Sequence, residues 1–323
     1  MQYRRLGSSG LEVSVMGLGT NSFGSRSDQD LSIRILHTAI DAGVNFIDTA
    51  NIYSGTRSEE IIGEGLKGRR HDVVLATKAG LPRHNRPNGK GSSRAHLFQE
   101  IDESLTRLQT DYVDLYQIHS FDPHTPVEET LRALDDLVRS GKVRYIGASN
   151  YMAWELMKAL SISHEKGLAR YISIQPSYSM ADRSPERELV ALCLDQGVGI
   201  IPYFPLAGGI LTGKYAGRQV PNGSRAETNP AFINRLDDER LHLGDKVSVV
   251  ATQLSCSASA LSLAWLYTRP AVATVIVGAT RPDQVIDNLT SVELALSDEI
   301  IDAFDEASKQ YIYGKPFAEF RLD

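Results

Sequence analysis

An α/β chain folded as a closed (β/α)8 TIM barrel, with an N-terminal β-hairpin and extra helices near the C-terminus, is predicted by three features of these 323 residues. Short apolar runs alternate about eight times with amphipathic stretches, and no linker-like gap interrupts them. That alternation implies parallel strands with helices outside. Eight such units in a chain of this length fit one closed barrel, so residues 1–323 are expected to form a single domain. Polar and ionisable residues, finally, follow the apolar runs, at ends that a barrel gathers on one face.

The elements follow in order. Residues 3–13 read as two short strands around Gly7-Ser8-Ser9-Gly10, a hairpin. Strands are expected at 14–18, 44–48, 72–77, 113–118, 143–148, 172–175, 198–202 and 272–277. Between them lie helical stripes: Leu31, Ile35 and Ala39; Leu97, Ile101, Leu105 and Leu108; Val127, Leu131, Leu134 and Val138. Thr125-Pro126-Val127-Glu128 predicts a helix start with Thr125 as N-cap and Pro126 at N1, and Ser184-Pro185-Glu186 another. Irregular stretches at 80–93 and 203–237 are long enough to be binding loops. A helix near 238–255 interrupts the last repeat. An open doubly wound sheet is the alternative, but the glycines Gly17, Gly19 and Gly24 miss the dinucleotide fingerprint because the third arrives too late.

Composition narrows the function. A net charge of -6 without a basic block argues against nucleic acid as a partner. Cys193 and Cys256 make no disulfide framework and are expected as buried helical thiols, which suits a reducing compartment. The first residues are not followed by an apolar signal region, and no run approaches 18 apolar residues. A cytoplasmic protein without membrane partners is expected; its oligomeric state is open.

The chemistry lies at the strand ends. The second strand ends at Asp48, the third at Lys78, the fourth at His119, and Tyr53 sits in the loop after the second. A tyrosine titrates near 10, too high for proton exchange at neutral pH, and a nearby cation lowers that value. Lys78 is the expected cation, Asp48 holds it, and His119 steers a substrate oxygen toward Tyr53. Tyr53 then protonates an alkoxide as hydride reaches carbon.

These residues stand in runs that resemble the aldo-keto reductases. The resemblance covers residues 3–310 and is carried by Asn45-Phe46-Ile47-Asp48-Thr49-Ala50, Tyr53, Gly63 and the run from Tyr112 to His119. It implies a catalytic tetrad of Asp48, Tyr53, Lys78 and His119. It also implies that Ser149, Asn150 and Gln175 hold a nicotinamide carboxamide while Tyr203 stacks on the ring. Phe204, Pro205, Leu206, Ala207 and Lys214 are similar to the pyrophosphate-side loop. Gly278, Thr280, Arg281, Gln284 and Asn288 match the stretch that grips adenosine, and Gly19, Thr20, Asn21 and Asp48 complete the cofactor set. A guanidinium suits a 2′-phosphate, so Arg281 points to NADPH/NADP+ as cofactor and a carbonyl or alcohol as substrate.

The run from Pro205 to Tyr215 resembles the branch with bacterial reductases and potassium-channel β subunits. An NADPH-binding sensor is therefore the alternative function. His119, a position such subunits fill differently, favours the enzyme, as does the short N-terminus. Phe23, Ile52 and the two long loops are expected to wall the substrate pocket. The stretch Tyr311-Ile312-Tyr313-Gly314-Lys315 reads as tail, free or folded over the barrel mouth. His119 and His124 are five apart with no further ligands at strand ends, so no metal site is expected.

Overall fold

The computed structural model describes residues 1–222, 224–228, 230–318 and 320–322. Strands β1 (Tyr3–Arg5) and β2 (Glu12–Ser14) pair antiparallel, with Tyr3 opposite Ser14. Eight parallel strands follow: β3 (Met16–Gly19), β4 (Phe46–Asp48), β5 (Val74–Ala79), β6 (Val113–Ile118), β7 (Val143–Ser149), β8 (Tyr171–Gln175), β9 (Gly199–Ile200) and β10 (Val275–Gly278). From β4 to β9 each pairs with the strand before it, and β10 pairs with β3. The ring closes where β9 meets the approach to β10. Ile200 N donates to Ala271 O at 2.7 Å, Ala273 N to Ile200 O at 3.0 Å, and Ile276 N to Pro202 O at 3.2 Å. Every expected strand is present, with ends moved by up to three residues. The strand expected at 198–202 keeps only two, because Pro202 has no N–H for a ladder.

Helices α1 (Gln29–Asp41), α2 (Arg57–Gly65), α3 (Arg94–Leu108), α4 (Val127–Arg139), α5 (Ala153–Lys166) and α6 (Leu189–Gln196) coat the outside. The helix expected near 238–255 runs Asp238–Gln253, and Ala258–Tyr267 follows it before β10. Pro282–Leu289 and Asp298–Ser308 come after β10. Among the described residues no single helix is long and apolar enough to cross a membrane.

Two local expectations need correction. Helix α4 starts at Val127 with Pro126 as its cap, since Thr125 spends its hydroxyl on Asp122 Oδ2 at 2.6 Å. Cys193 is a buried helical thiol pushed up to about 12 by burial, whereas Cys256 is half-buried in the turn between two helices.

Two apolar layers hold the barrel. One lies between strands and helices; the other fills the barrel interior with Leu6, Val13, Phe46, Val74, Leu115 and Ile201. Leu6 and Val13 belong to the hairpin arm, which plugs the N-terminal end of the barrel. Ser8 N donates to Gly197 O at 2.8 Å, and a Cβ on Gly7 would lie 2.5 Å from that oxygen. Only glycine fits there, at φ +61.

Strand alternation then positions the chemistry. Phe46 faces inward, so Asp48 does too; Val74 and Ala76 face inward, so Lys78 does; Leu115 faces inward, so Gln117 does.

Gly63 marks the crossing of α2 and α3, where a Cβ would lie 2.4 Å from Arg107 O. Gly63→Ala must push the helices apart, at an expected cost of about 1–3 kcal/mol. Denaturant unfolding checks this; unchanged stability would show that α2 and α3 do not meet here.

Candidate active site

Asp48, Tyr53, Lys78 and His119 meet at the C-terminal mouth of the barrel. Lys78 and Asp48 are both fully buried, with Nζ 2.6 Å from Asp48 Oδ2. The same Nζ donates to Thr49 O at 2.8 Å and to the Tyr53 hydroxyl at 3.3 Å, so its three protons are all used. Asp48 Oδ1 accepts from Gln117 Nε2 at 3.1 Å and from Gln175 Nε2 at 2.9 Å. Tyr53 is turned back into the barrel by an unusual run: Ser54, Gly55 and Thr56 all have positive φ. Left-handed conformations at non-glycine residues are costly and cluster at functional sites. The Tyr53 and His119 rings meet edge-on with centroids 6.0 Å apart.

Burial decides the protonation states. Desolvation works against the Lys78 charge, but Asp48 and Tyr53 outweigh it and lift its pKa above the usual 10.5. Desolvation also dominates Tyr53; Lys78 pulls its pKa down, yet the net result is a rise above 10.0. This corrects the expectation that Lys78 brings Tyr53 toward neutrality. The phenol keeps its proton, as a general acid must before it reacts. His119 is neutral, held well below 6.5 by burial and by the Lys78 charge, and its buried Nδ1 has no hydrogen-bond partner among the described residues.

Above these residues opens a cleft of about 570 Å³. Its walls include Gly19, Thr20, Asn21, Ser149, Asn150, Gln175 and Tyr203 near the barrel mouth. Phe204, Pro205, Leu206 and Lys214 line it further out, with Gly278, Thr280, Arg281, Gln284 and Asn288 at the far side. Ala207 is the exception among the expected cofactor residues, since it is packed into the core. Phe23 likewise lies in the core rather than in the pocket wall, whereas Ile52 and Leu81 do line the cleft. Of the 203–237 stretch, Gly223 and Asn229 lie outside the described residues.

The cleft is prepared for an elongated anionic ligand. Asn150, at φ 56, is fixed by donating to His119 O at 2.8 Å and accepting from the Tyr203 hydroxyl at 2.8 Å. Gly209 has φ +103, and a Cβ there would lie 2.2 Å from Lys214 Cε, so backbone and cation stand against one another. Three cations, Arg26, Lys214 and Arg281, line one cleft. Arg281 is exposed and pairs with Asp283 at 3.2 Å. A nicotinamide dinucleotide fits this donor set.

Sequence reasoning passed over Arg26, Gln117 and Phe320. Gln117 reads as one polar residue inside an apolar strand; its inward direction was the available signal. Phe320 arrives with the C-terminal tail, which folds over the mouth. Arg321 pairs with buried Glu155 and donates to Asn150 O, Ser120 Oγ donates to Phe320 O at 3.0 Å, and the Phe320 ring leans on Tyr203.

Comparison with known proteins agrees with this geometry. A sequence model of the aldo/keto reductase family matches residues 15–309. A probable voltage-gated potassium channel subunit beta of Oryza sativa subsp. japonica is 37% identical over 94% of this chain and 96% of its own. An uncharacterized oxidoreductase of Bacillus subtilis is 36% identical over 93% and 94%. The versiconal hemiacetal acetate reductase of Aspergillus parasiticus is 34% identical over 95% and 96%.

Removing the Asp48 charge strands a buried ammonium. Asp48→Asn is expected to lose about 3–5 kcal/mol of stability at pH 7. Because the folded Lys78 pKa lies above 10.5, the native pair contributes fully below that pH and is lost above its folded value. In the variant the stranded ammonium gives up its proton on folding, which costs less as pH rises toward 10.5, so the gap between variant and native protein should shrink over that range in denaturant titrations. A gap that does not change with pH would mean that Lys78 is not the stranded cation.

Proposed function

The chain belongs to the aldo/keto reductase family, and on that premise we propose that it is an NADPH-dependent reductase converting an aldehyde or ketone to an alcohol, reversibly. One observation carries the reading: a single buried lysine is bonded at once to Asp48 and to the hydroxyl of Tyr53, at the floor of a cleft of dinucleotide size.

Asn150, Ser149 and Gln175 would hold the carboxamide of the nicotinamide, with Tyr203 against its ring. Lys214 and Arg26 would hold the phosphates, and Arg281 would take the 2′-phosphate. The bound reduced nicotinamide supplies a hydride to the carbonyl carbon. Neutral His119 donates a hydrogen bond that fixes the carbonyl oxygen beside Tyr53, which gives its proton to that oxygen as negative charge develops. Lys78 stabilises the phenolate left behind, and Asp48 keeps Lys78 charged. In the reverse direction the same phenolate is the base. The tail, the strand-end polar groups and the apolar side chains of Ile52, Leu81 and Phe320 keep water from the reacting carbon.

A second reading is supported by the relatives named as probable channel β subunits. Such a protein would hold NADPH and report to a partner, with negligible turnover. Absorbance loss of reduced cofactor against a panel of aldehydes and ketones separates the two.

Tyr53→Phe removes the proton donor while leaving the cleft intact. NADPH affinity should hold while turnover falls at least about 100-fold, the size of a general-acid contribution; retained turnover would remove Tyr53 from the acid role. Arg281→Ala should weaken NADPH about tenfold with little change for NADH, the size of one charge-assisted hydrogen bond. Titration of both cofactors reads this directly, and an unchanged preference would move the 2′-phosphate elsewhere.

A further inference from the structure

Behind the loop that carries Tyr53, a buried carboxylate lacks a partner. Glu100 on α3 is fully buried, and its Oε2 accepts one hydrogen bond, from Asn51 Nδ2 at 2.6 Å. Its Oε1 has no hydrogen-bond partner. Among the described residues, the basic groups within ion-pair range of Glu100 are two imidazoles, His84 Nε2 at 3.5 Å and His96 Nδ1 at 3.9 Å. An ionised carboxylate is costly to bury without a positive charge. His96 does not supply one. Its Nδ1 is bonded to Asn88 O at 3.0 Å. His84 Nε2 is itself buried and without a hydrogen-bond partner, and it lies 3.9 Å from a second carboxylate oxygen, Glu103 Oε2.

We propose that His84, Glu100 and Glu103 bind a divalent first-row transition cation, with Zn2+ as the reference ion. Their three ligand atoms lie within 4.8 Å of one another. Zinc bonds near 2.0–2.1 Å put tetrahedral ligands about 3.4 Å apart, so His84 is already placed against Glu100 and the two carboxylates must draw together around the ion. One imidazole with two carboxylates suits such a metal, and a double charge balances both carboxylates where a proton on His84 balances one. His84 and Glu103 are 27% and 34% exposed, which leaves an entry path and a face for water.

The surroundings orient the ligands. Asn51 occupies Glu100 Oε2 and turns Oε1 toward His84; Gln99 donates to Glu103 Oε1 at 2.8 Å, while Oε2 accepts a long hydrogen bond from Arg107. Arg107 is the competing cation, 3.4 Å from Glu103 Oε2, but it is anchored more closely on Glu59 at 2.7 Å. A bound ion would clamp the 80–93 loop onto α3. Through Asn51, it would also brace the turn that presents Tyr53. The site lies outside the dinucleotide cleft, and the inference does not depend on the reductase reading.

The test uses chelator-treated full-length protein and Zn2+ alone, without nicotinamide. Competition against a chromophoric chelator should give one ion per chain at low micromolar concentration. His84→Ala and Glu103→Gln, both at partly exposed side chains, should each weaken it at least about tenfold. Zn2+ should also slow tryptic cleavage after Arg83 and Lys90 in the native protein but not in His84→Ala. Equal affinity in native protein and His84→Ala would place the ion at other surface groups. Failure to bind near one equivalent would mean that a protonated His84 alone balances Glu100. Either result overturns the proposal.

Discussion

Two opposite charges, those of Lys78 and Asp48, sit 2.6 Å apart inside the barrel and are almost wholly removed from water. Taking such charges out of solvent costs several kcal/mol each, and their attraction offsets this only if every remaining proton and lone pair is satisfied. The barrel meets that condition. Lys78 spends its protons on Asp48, Thr49 O and Tyr53, while Gln117 and Gln175 fill the second Asp48 oxygen. The donors come from β5, β6 and β8 and the acceptors from β4 and the loop that follows it, so the full network forms only once the curled sheet has brought β8 across to β4. The Tyr53 hydroxyl is thus a member of this network at the mouth of the cleft.

The same closure explains why the loops can hold strained shapes. Three successive positive φ values after Tyr53, and another at Asn150, persist because Lys78, Tyr203 and His119 O fix the groups on either side. The tail adds a removable layer. Phe320 reaches the cleft while Arg321 ties the chain to Glu155 on α5. A barrel with rigid strand ends and adjustable cover can keep one reaction and change its substrate.

That economy also bears on the relatives. Proteins as different as a hemiacetal acetate reductase and a probable channel subunit share about a third of their residues with this chain over nearly its whole length. A shared barrel does not assign function; the site must. Here Asp48, Tyr53, Lys78 and His119 stand together, with the lysine charged, the tyrosine protonated and the histidine neutral.

The sequence by itself determined the sheet, the helices and the four residues at the barrel mouth. Alternation and helical stripes are local patterns, and a barrel sends residues at strand ends to one place, so Asp48, Lys78 and His119 could be matched without coordinates. Tertiary structure decided what depends on distance across the ring. Gln117 became a support for Asp48 only because β6 lies beside β5. Ala207 and Phe23 left the expected lining because local backbone turns pointed them into the core. The Tyr53 pKa rose because desolvation, a property of the whole enclosure, outweighs one neighbouring cation. His84 joined Glu100 and Glu103 because a loop with no periodic pattern folds onto α3. Residue type and spacing record which atoms a chain owns; burial and cross-chain proximity set their charge and their partners, and both arise only on folding.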